Sequence, residues 1–229
     1  MTRRRWLVIN PNTTAAMTDS ICSQMARHAP PGVSLTGATG RFGAPVVADR
    51  ASFAVAAAAA LDAYVRCGIG VNGVILACFG DPGLAALREV CTVPVVGLAE
   101  ASFAAAPGPF VVLTAGPAWR PMLLEQLAIH PAGTSCRGVW TLDATGADIA
   151  ADPDAFNCTL DALAREAVGA GAEYVILGGA ALAGFPARLK PVVPFIDCVG
   201  AAAAALSANP AALAVQTGIP DWLSRFAQR

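Results

Sequence analysis

The chain has 229 residues, of which 55% are hydrophobic and 14% charged, and its formal net charge is −1. A charge this close to zero provides no basic surface for nucleic acid or for an anionic membrane, so we expect a small-molecule substrate. The longest apolar stretches, near 53–61 and 200–206, are too short to span a bilayer, and only four apolar residues follow the arginines at 3–5. We therefore predict no membrane anchor and no signal peptide.

The seven cysteines are odd in number and show no Cys-x-x-Cys spacing or Cys/His ligand pattern. This usage favours neither a disulfide framework nor a zinc site. Because it is typical of a reducing compartment, we predict a cytoplasmic location.

The first half of the chain alternates short apolar segments with helical ones. We predict strands at 6–9, 33–36, 74–77 and 94–97, and helices after 12–14, at 51–66, at 84–90 and at 100–106. The uniformly apolar strand at 74–77 is typical of a parallel strand that is covered on both faces. Asn10 follows the first strand and Cys78 follows the third, so both residues lie at the carboxyl end of a strand.

The second half of the chain repeats the first half in the same order, about one hundred residues later. The matching segments are 110–116, 139–146, 174–180 and 193–197, which correspond to 6–10, 33–40, 74–80 and 93–97. We infer an ancient duplication that produced two similar α/β lobes. The first lobe comprises residues 1–106 together with 209–229, which we predict as two short helices, and the second lobe comprises residues 107–208.

Strands that alternate with helices predict parallel sheets, and ligands bind such sheets outside the carboxyl ends of the strands. We therefore expect an α/β protein with two parallel four-stranded sheets, related by a pseudo-twofold axis, and an active site in the cleft between the lobes. In this arrangement Gly179 is the repeat partner of Cys78. Asn10 and Thr114 lie at equivalent positions that flank the cleft.

Cys78 stands between the apolar strand and the sequence Phe-Gly-Asp-Pro-Gly at 79–83. We predict that Asp81 caps a helix opened by Pro82, since aspartate is a common N-cap and proline suits the first helical turn. Amide N–H groups and a helix N-terminus lower the pKa of a nearby thiol, so we expect an acidic Cys78 suited to covalent or acid–base chemistry. The alternative interpretation is that Cys78 is one more small buried apolar residue.

Two further residues have an open role at this stage. Cys198 ends the strand that we predict next to Gly179, and it either supplies a second acid or base or packs as a small apolar residue. Arg41 follows a predicted strand, and it either reaches a substrate carboxylate or stands solvated in its loop.

Four segments carry a resemblance to a known family. They are Ile-Asn-Pro-Asn-Thr-Thr at 9–14, Ala-Cys-Phe-Gly-Asp-Pro-Gly-Leu at 77–84, Pro-Val-Val-Gly-Leu-Ala-Glu-Ala at 94–101 and Leu-Gly-Gly-Ala-Ala-Leu-Ala-Gly at 177–184. Together they resemble the Asp/Glu/hydantoin racemase family, in particular its hydantoin and allantoin racemase branch. The resemblance spans nearly the whole chain.

The resemblance implies a cofactor-independent active site in which two cysteines face opposite sides of an acidic carbon. Cys78 matches the first of these cysteines, whereas Gly179 occupies the position of the second. Inversion of a stereocentre needs a base on one face and an acid on the other, and glycine supplies neither. An enolate-like intermediate would be held by N–H groups and polar side chains. We expect these groups at Asn10, Phe79, Gly80, Thr114 and Ala180.

Three functions are compatible with these residues. The first is a racemase or epimerase of amino-acid derivatives, which acts at the carbon alpha to a carboxylate or amide carbonyl. The second is a decarboxylase or lyase with one cysteine, similar to the arylmalonate decarboxylases, which keep their single cysteine at the other of the two positions. The third is a small-molecule binding protein without catalysis. We expect a homo-oligomer that needs no cofactor, and the sequence leaves the identity of the substrate open.

Overall fold

The computed structural model of the chain describes residues 4–144, 146–179, 181–185, 192–208 and 218–228. Two four-stranded sheets follow one another along these residues, and every strand is parallel to its neighbours. The first sheet consists of β1 (Arg4–Asn10), β2 (Val33–Thr39), β3 (Gly73–Leu76) and β4 (Val95–Gly97). The second consists of β5 (Phe110–Ala115), β6 (Cys136–Leu142), β7 (Tyr174–Gly178) and β8 (Phe195–Asp197).

The two sheets have the same topology, which confirms the predicted two-lobed α/β fold. Their strand orders are β2-β1-β3-β4 and β6-β5-β7-β8. The first lobe contains the helices α1 (Ala15–Ala26), α2 (Arg50–Cys67), α3 (Leu84–Val90) and α4 (Leu98–Ala105). These are followed by α5 (Trp119–Ile129), α6 (Gly146–Ala151), α7 (Asn157–Gly169), α8 (Cys198–Ala208) and α9 (Asp221–Phe226). None of these described helices is long and apolar enough to cross a membrane.

The alternation of side chains along each strand divides the core into separate clusters. On β1, Trp6 and Val8 point into a cluster between the two sheets, whereas Leu7 and Ile9 point to the outer face of the first sheet. The central cluster also contains Ile176 of β7. The two lobes therefore share the central cluster of the hydrophobic core.

Helices α4 and α8 fill the space between the sheets. Phe103 of α4 and Val199 and Ala202 of α8 are fully buried in the central cluster. Each helix begins directly after an edge strand, α4 after β4 and α8 after β8. This connection places both helix N-termini at the carboxyl ends of the sheets, where the sequence predicts the cleft.

The strands and helices predicted for the first half of the chain are all present, and they differ from the structure only at their ends. Helix α2 begins at Arg50 because Asp49 and Ser52 form a reciprocal capping box. Near the C-terminus, α9 packs against the first lobe, and its Leu223 joins the outer cluster of the first sheet. The remainder of the predicted helical segment, 209–217, lies outside the described residues.

Candidate active site

Cys78 lies two residues beyond the end of β3, in a turn at the carboxyl edge of the first sheet. Hydrogen bonds hold this turn at both ends. The N–H of Ala77 donates to the carbonyl of Ile9 (2.8 Å), and the N–H of Asp81 donates to the carbonyl of Cys78 (3.0 Å). Cys78 is only partly exposed at this strand end, so most of the residue is screened from solvent.

The two lobes meet beside Cys78. The ring of Phe79, from the first lobe, lies so close to Gly178 that a Cβ atom there would overlap it. The ring of Trp119, from the second lobe, lies against Gly80 in the same way. Both contacts require glycine, since no other residue leaves the backbone bare. The thiol turn is therefore part of the boundary between the lobes.

The turn after Cys78 also presents backbone donors. Within the described part of the chain, the N–H groups of Phe79 and Gly80 donate to no carbonyl and to no side chain. Gly80 has a φ of +122°, a conformation that favours glycine. N–H groups placed in this way can stabilise an oxygen atom that gains negative charge during a reaction.

Asn10 is buried at the end of β1, and its side chain forms hydrogen bonds within its own lobe. The Nδ2 group shares its two hydrogens among three acceptors within range, which are Asn12 Oδ1 (2.8 Å), Thr18 Oγ1 (3.0 Å) and the carbonyl of Thr14 (3.2 Å). The Asn10 amide thereby joins β1 to the beginning of α1. To bind a substrate oxygen, it has to exchange one of these hydrogen bonds.

Thr114 occupies the equivalent place at the end of β5, and its hydroxyl donates to the carbonyl of Gly178 (2.8 Å). Gly179 follows with a φ of +109°. Among the described atoms, a Cβ at Gly179 would approach only Thr114 Oγ1, at 4.0 Å. Space is therefore available at Gly179, although its backbone conformation disfavours a side chain. Ala180, the remaining predicted site residue, lies outside the described residues.

The prediction of an acidic Cys78 is wrong. Burial, and after it the negative charge of Asp81, raises the pKa of the Cys78 thiol well above its ordinary value. In addition, no helix begins at Pro82, because α3 starts at Leu84 behind a left-handed Gly83. Cys78 therefore holds its proton at neutral pH.

Asp81 caps a different helix from the one that the sequence predicts. Its carboxylate accepts hydrogen bonds from the N–H groups of Ala99 (3.1 Å) and Glu100 (2.8 Å), in the first turn of α4. The side chain is buried, and burial raises the pKa of Asp81 to about 7, although both N–H groups act to lower it. The local Asp-Pro pattern suggested a cap on α3, whereas the actual partner follows the next strand.

Cys198 is the first residue of α8 and is fully buried. Burial, and after it the charge of Asp197, raises the pKa of this thiol to about 12, whereas the neighbouring backbone N–H of Gly179 acts to lower it. Cys198 thus lies close to the backbone of Gly179, the position at which the family pattern has a cysteine. Among the described residues, no cluster of three or more His, Cys, Asp or Glu side chains is arranged to hold a metal ion.

Arg41 is exposed in its loop, as one of the two interpretations from the sequence expects, but it is also fixed by an ion pair. Its guanidinium binds the carboxylate of Asp62 (2.5 and 3.1 Å) and donates to the carbonyl of Ala227 (2.9 Å). Asp62 is fully buried in α2 and also binds Arg66 (2.9 Å). Arg41 therefore joins the segment after α9 to the first lobe.

A cavity of about 380 Å³ lies beside Gly80, between α2 and α5. Its lining includes Phe53 and Trp119, whose rings meet edge to face with their centroids 6.1 Å apart. Arg50 and Glu125 also line it and form a bidentate ion pair (2.5 and 2.8 Å). These residues were not predicted from the sequence, because they come from different lobes. Gly80 was the one sign of this cavity in the sequence, because a glycine there leaves room for the Trp119 ring beside the thiol turn.

A family model described as Asp/Glu/Hydantoin racemase matches residues 7–206, which include both sheets and the Cys78 turn. The chain belongs to the Asp/Glu/hydantoin racemase family. This membership confirms the resemblance that the four sequence segments carry.

Relatives within the family are similar to this chain over most of its length. The hydantoin racemase of Paenarthrobacter aurescens is 33% identical over 211 residues, which cover 86% of this chain and 87% of the relative. The hydantoin racemase of Rhizobium meliloti is 31% identical over 205 residues, with 85% and 84% covered. Among solved structures, the allantoin racemase from Klebsiella pneumoniae has a TM-score of 0.81 at 29% identity, and the match covers 96% of this chain and 93% of that one.

Proposed function

We propose that the protein is a cofactor-independent racemase or epimerase of amino-acid derivatives, which acts at the carbon alpha to an amide or carboxylate carbonyl. One observation carries this proposal: the Cys78 thiol is followed by two N–H groups that have no acceptor among the described residues, at the boundary between the lobes. A thiol and adjacent N–H donors are the groups needed to move a proton on a carbon whose carbonyl becomes an enolate. The similarity to hydantoin racemases supports a hydantoin as the substrate.

Cys78 serves one face of the acidic carbon in the proposed reaction. The small fraction of Cys78 that is present as thiolate removes the alpha proton, so that a C–H bond breaks, an S–H bond forms and the electron pair moves to the carbonyl oxygen. The N–H groups of Phe79 and Gly80 hold this oxygen. Asn10 and Thr114 flank it, and they bind substrate oxygens by exchanging hydrogen bonds that they now make within their own lobes.

The second face of the carbon adjoins Gly179, which has no proton to give. We assign the second proton either to a water molecule in the space beside Thr114 or to Cys198 close to the Gly179 backbone. A cysteine side chain at 179 would reach the carbon more directly than either of these donors. Inversion is therefore expected to be slower than return of the proton from Cys78 to the same face.

A decarboxylase with one cysteine is a second candidate, which the protonated state of Cys78 favours. Loss of carbon dioxide from a malonate creates the enolate without any base. A neutral thiol can then donate its proton from one face, so a partner on the other face is not needed.

Proton NMR in D₂O distinguishes the candidates. The protein is incubated with single enantiomers of a 5-substituted hydantoin, allantoin and an amino acid, and with an arylmalonate. Loss of the alpha-proton signal together with loss of optical rotation supports the racemase, and release of carbon dioxide from the malonate supports the decarboxylase. No reaction with any compound would contradict both and favour a binding protein.

A further inference from the structure

Asp81 both closes the thiol turn and attaches it to another helix. Its N–H donates to the carbonyl of Cys78 (3.0 Å), while its two carboxylate oxygens accept the N–H groups of Ala99 and Glu100 in α4. The residue has a φ of +55°, a conformation that is uncommon for residues other than glycine. Among the described residues, no other non-glycine residue has a positive φ. Backbone strain of this kind persists only where the surrounding contacts enforce it.

Gly97, the last residue of β4, makes room for the Asp81 carboxylate. A Cβ atom at Gly97 would overlap the carboxyl carbon of Asp81 and both of its oxygens. The backbone itself does not require glycine, since its φ of −93° and ψ of 152° are open to any residue. The contact with Asp81 is therefore the reason for a glycine at this position.

The second lobe contains a corresponding carboxylate link between a loop and a helix, but here the aspartate ends the edge strand instead of standing in the loop after the inner strand. Asp197, which corresponds to Gly97 in the repeat, accepts the N–H groups of Val199 (2.8 Å) and Gly200 (3.2 Å) in α8. Its other oxygen accepts the N–H of Gly184 (2.8 Å), in the segment after β7. In each lobe a carboxylate thus joins the loop after an inner strand to the helix after an edge strand. In the first lobe this charge belongs to the loop that carries Cys78.

We propose that Asp81 is a positioning residue for Cys78, which attaches the thiol turn to α4 and places a buried negative charge beside the thiol. This role deepens the proposed function and rests on it, because it assumes that Cys78 is the reacting group. The charge opposes formation of the thiolate, since like charges repel strongly where water is excluded. Asp81 therefore adds to the effect of burial in keeping Cys78 neutral, while holding it at the lobe boundary.

The charged and titratable groups around Asp81 come from three helices. Glu100 of α4 forms a bidentate ion pair with Arg88 of α3 (2.8 Å for both contacts), and Cys198 of α8 lies within reach of the Asp81 charge. Because the pKa of Asp81 is raised to about 7, its carboxyl group is mainly ionised above neutral pH. The effect on Cys78 is expected in that range.

Asp81→Asn removes the charge while keeping the size of the side chain. We expect the midpoint of the pH profile for alkylation of Cys78 by iodoacetamide to move down by about one unit, which is a tenfold faster reaction at a given pH below the midpoint. The Cys78 peptide is followed by mass spectrometry, because the chain has seven cysteines. Asp81→Glu keeps the charge but fits the space poorly, so it should lower turnover of a hydantoin without moving this midpoint downward.

Two further variants separate positioning from simple helix capping. Asp197→Asn is the matched control, because it removes the corresponding carboxylate at α8 and should leave the Cys78 midpoint unchanged. Gly97→Ala displaces the Asp81 carboxylate without straining its own backbone. It should lower turnover and shift the Cys78 midpoint in the wild-type chain, and have little effect in an Asp81→Ala background.

An unchanged Cys78 midpoint in both Asp81→Asn and Gly97→Ala would overturn the proposal and leave Asp81 as a helix cap. The alkylation experiment needs no substrate, so its outcome is separate from that of the proposed function. If no hydantoin reacts but the midpoint moves as expected, the proposed reaction fails while the link between Asp81 and Cys78 stands. If Asp81→Asn does not fold, Gly97→Ala alone decides the question.

Discussion

Cys78 and Gly179 occupy equivalent positions in the two lobes, but their backbones differ. Gly179 has a φ of +109°, whereas Cys78 is not among the described residues with a positive φ. The two equivalent positions therefore differ in backbone conformation as well as in side chain. One face of the proposed site keeps its thiol, whereas at the other a Cβ on Gly179 would have only Thr114 Oγ1, at 4.0 Å, near it among the described atoms.

Gly179→Cys should create or strongly increase racemisation of a hydantoin, because it adds a proton donor opposite Cys78. The new side chain has space, but the left-handed backbone should lower the free energy of unfolding by about 1–2 kcal/mol. Polarimetry measures the gain and urea denaturation measures the loss. Cys78→Ser/Gly179→Cys is the control. Equally fast racemisation by the wild-type chain would show that another group, such as Cys198, already serves the second face.

Asp81 also predicts how stability depends on pH. The pKa of its carboxyl group is about 7 in the folded chain and about 3.9 in an unfolded one, so the folded state binds the proton more tightly. The protonated carboxyl group makes its full contribution to the free energy of unfolding below about pH 4. This contribution is lost as the pH rises to 7, by at most about 1.4 kcal/mol per pH unit. Asn does not titrate. The free energy of unfolding of the wild type, minus that of Asp81→Asn, should therefore fall over this range in urea denaturation. A constant difference would contradict a buried, protonated Asp81.

Strands and helices that depend on their own local sequence were predicted correctly, whereas contacts between distant segments were not. The apolar run at 74–77 predicted β3 and placed Cys78 at its end, because a strand covered on both faces leaves little choice of residue. The cap of α4 was not predictable, because Asp81 binds N–H groups 18 and 19 residues further along the chain. The high pKa of the Cys78 thiol was missed for a related reason, since its burial depends on how the surrounding elements pack.

Asp62 provides a prediction about how α9 is held. Its fully buried carboxylate binds Arg41 and Arg66, and Arg41 in turn binds the carbonyl of Ala227. Asp62→Asn should lower the free energy of unfolding by about 3 kcal/mol, because two guanidinium groups lose a buried partner. Hydrogen exchange should also become faster in α9 than in the second sheet. Equal protection of α9 in both proteins would show that Arg41 does not hold it.

At the scale of the whole molecule, the lobes are joined by a common core and by contacts beside the proposed site. The Phe79 ring against Gly178 is one of these contacts, and the Trp119 ring against Gly80 is another. The internal repeat predicted two similar sheets, yet it did not predict these contacts, because each is made by residues that the two halves do not share. The fit between the lobes therefore had to come from the structure.

Gly178→Ala tests the fit between the lobes. The added methyl group overlaps the Phe79 ring, so the free energy of unfolding should fall by about 1–3 kcal/mol, as in other overpacked cores. Gly169→Ala is the matched control, since no described atom lies within 4 Å of a Cβ at this position in α7. It should be neutral or stabilise the protein by up to about 1 kcal/mol. Equal effects of the two changes in urea denaturation would argue against tight contact between the lobes.

The central claim is that Cys78 moves a proton on the alpha carbon of the substrate. Its most direct test is deuterium exchange at this carbon in a single enantiomer of 5-benzylhydantoin, followed by proton NMR in D₂O near neutral pH and corrected for exchange without protein. We predict exchange by the wild-type chain and a loss of at least about a hundredfold in Cys78→Ser, the lower end of the range for a lost acid–base group. Exchange by Cys78→Ser at the wild-type rate, or no catalysed exchange by the wild type, would contradict this account.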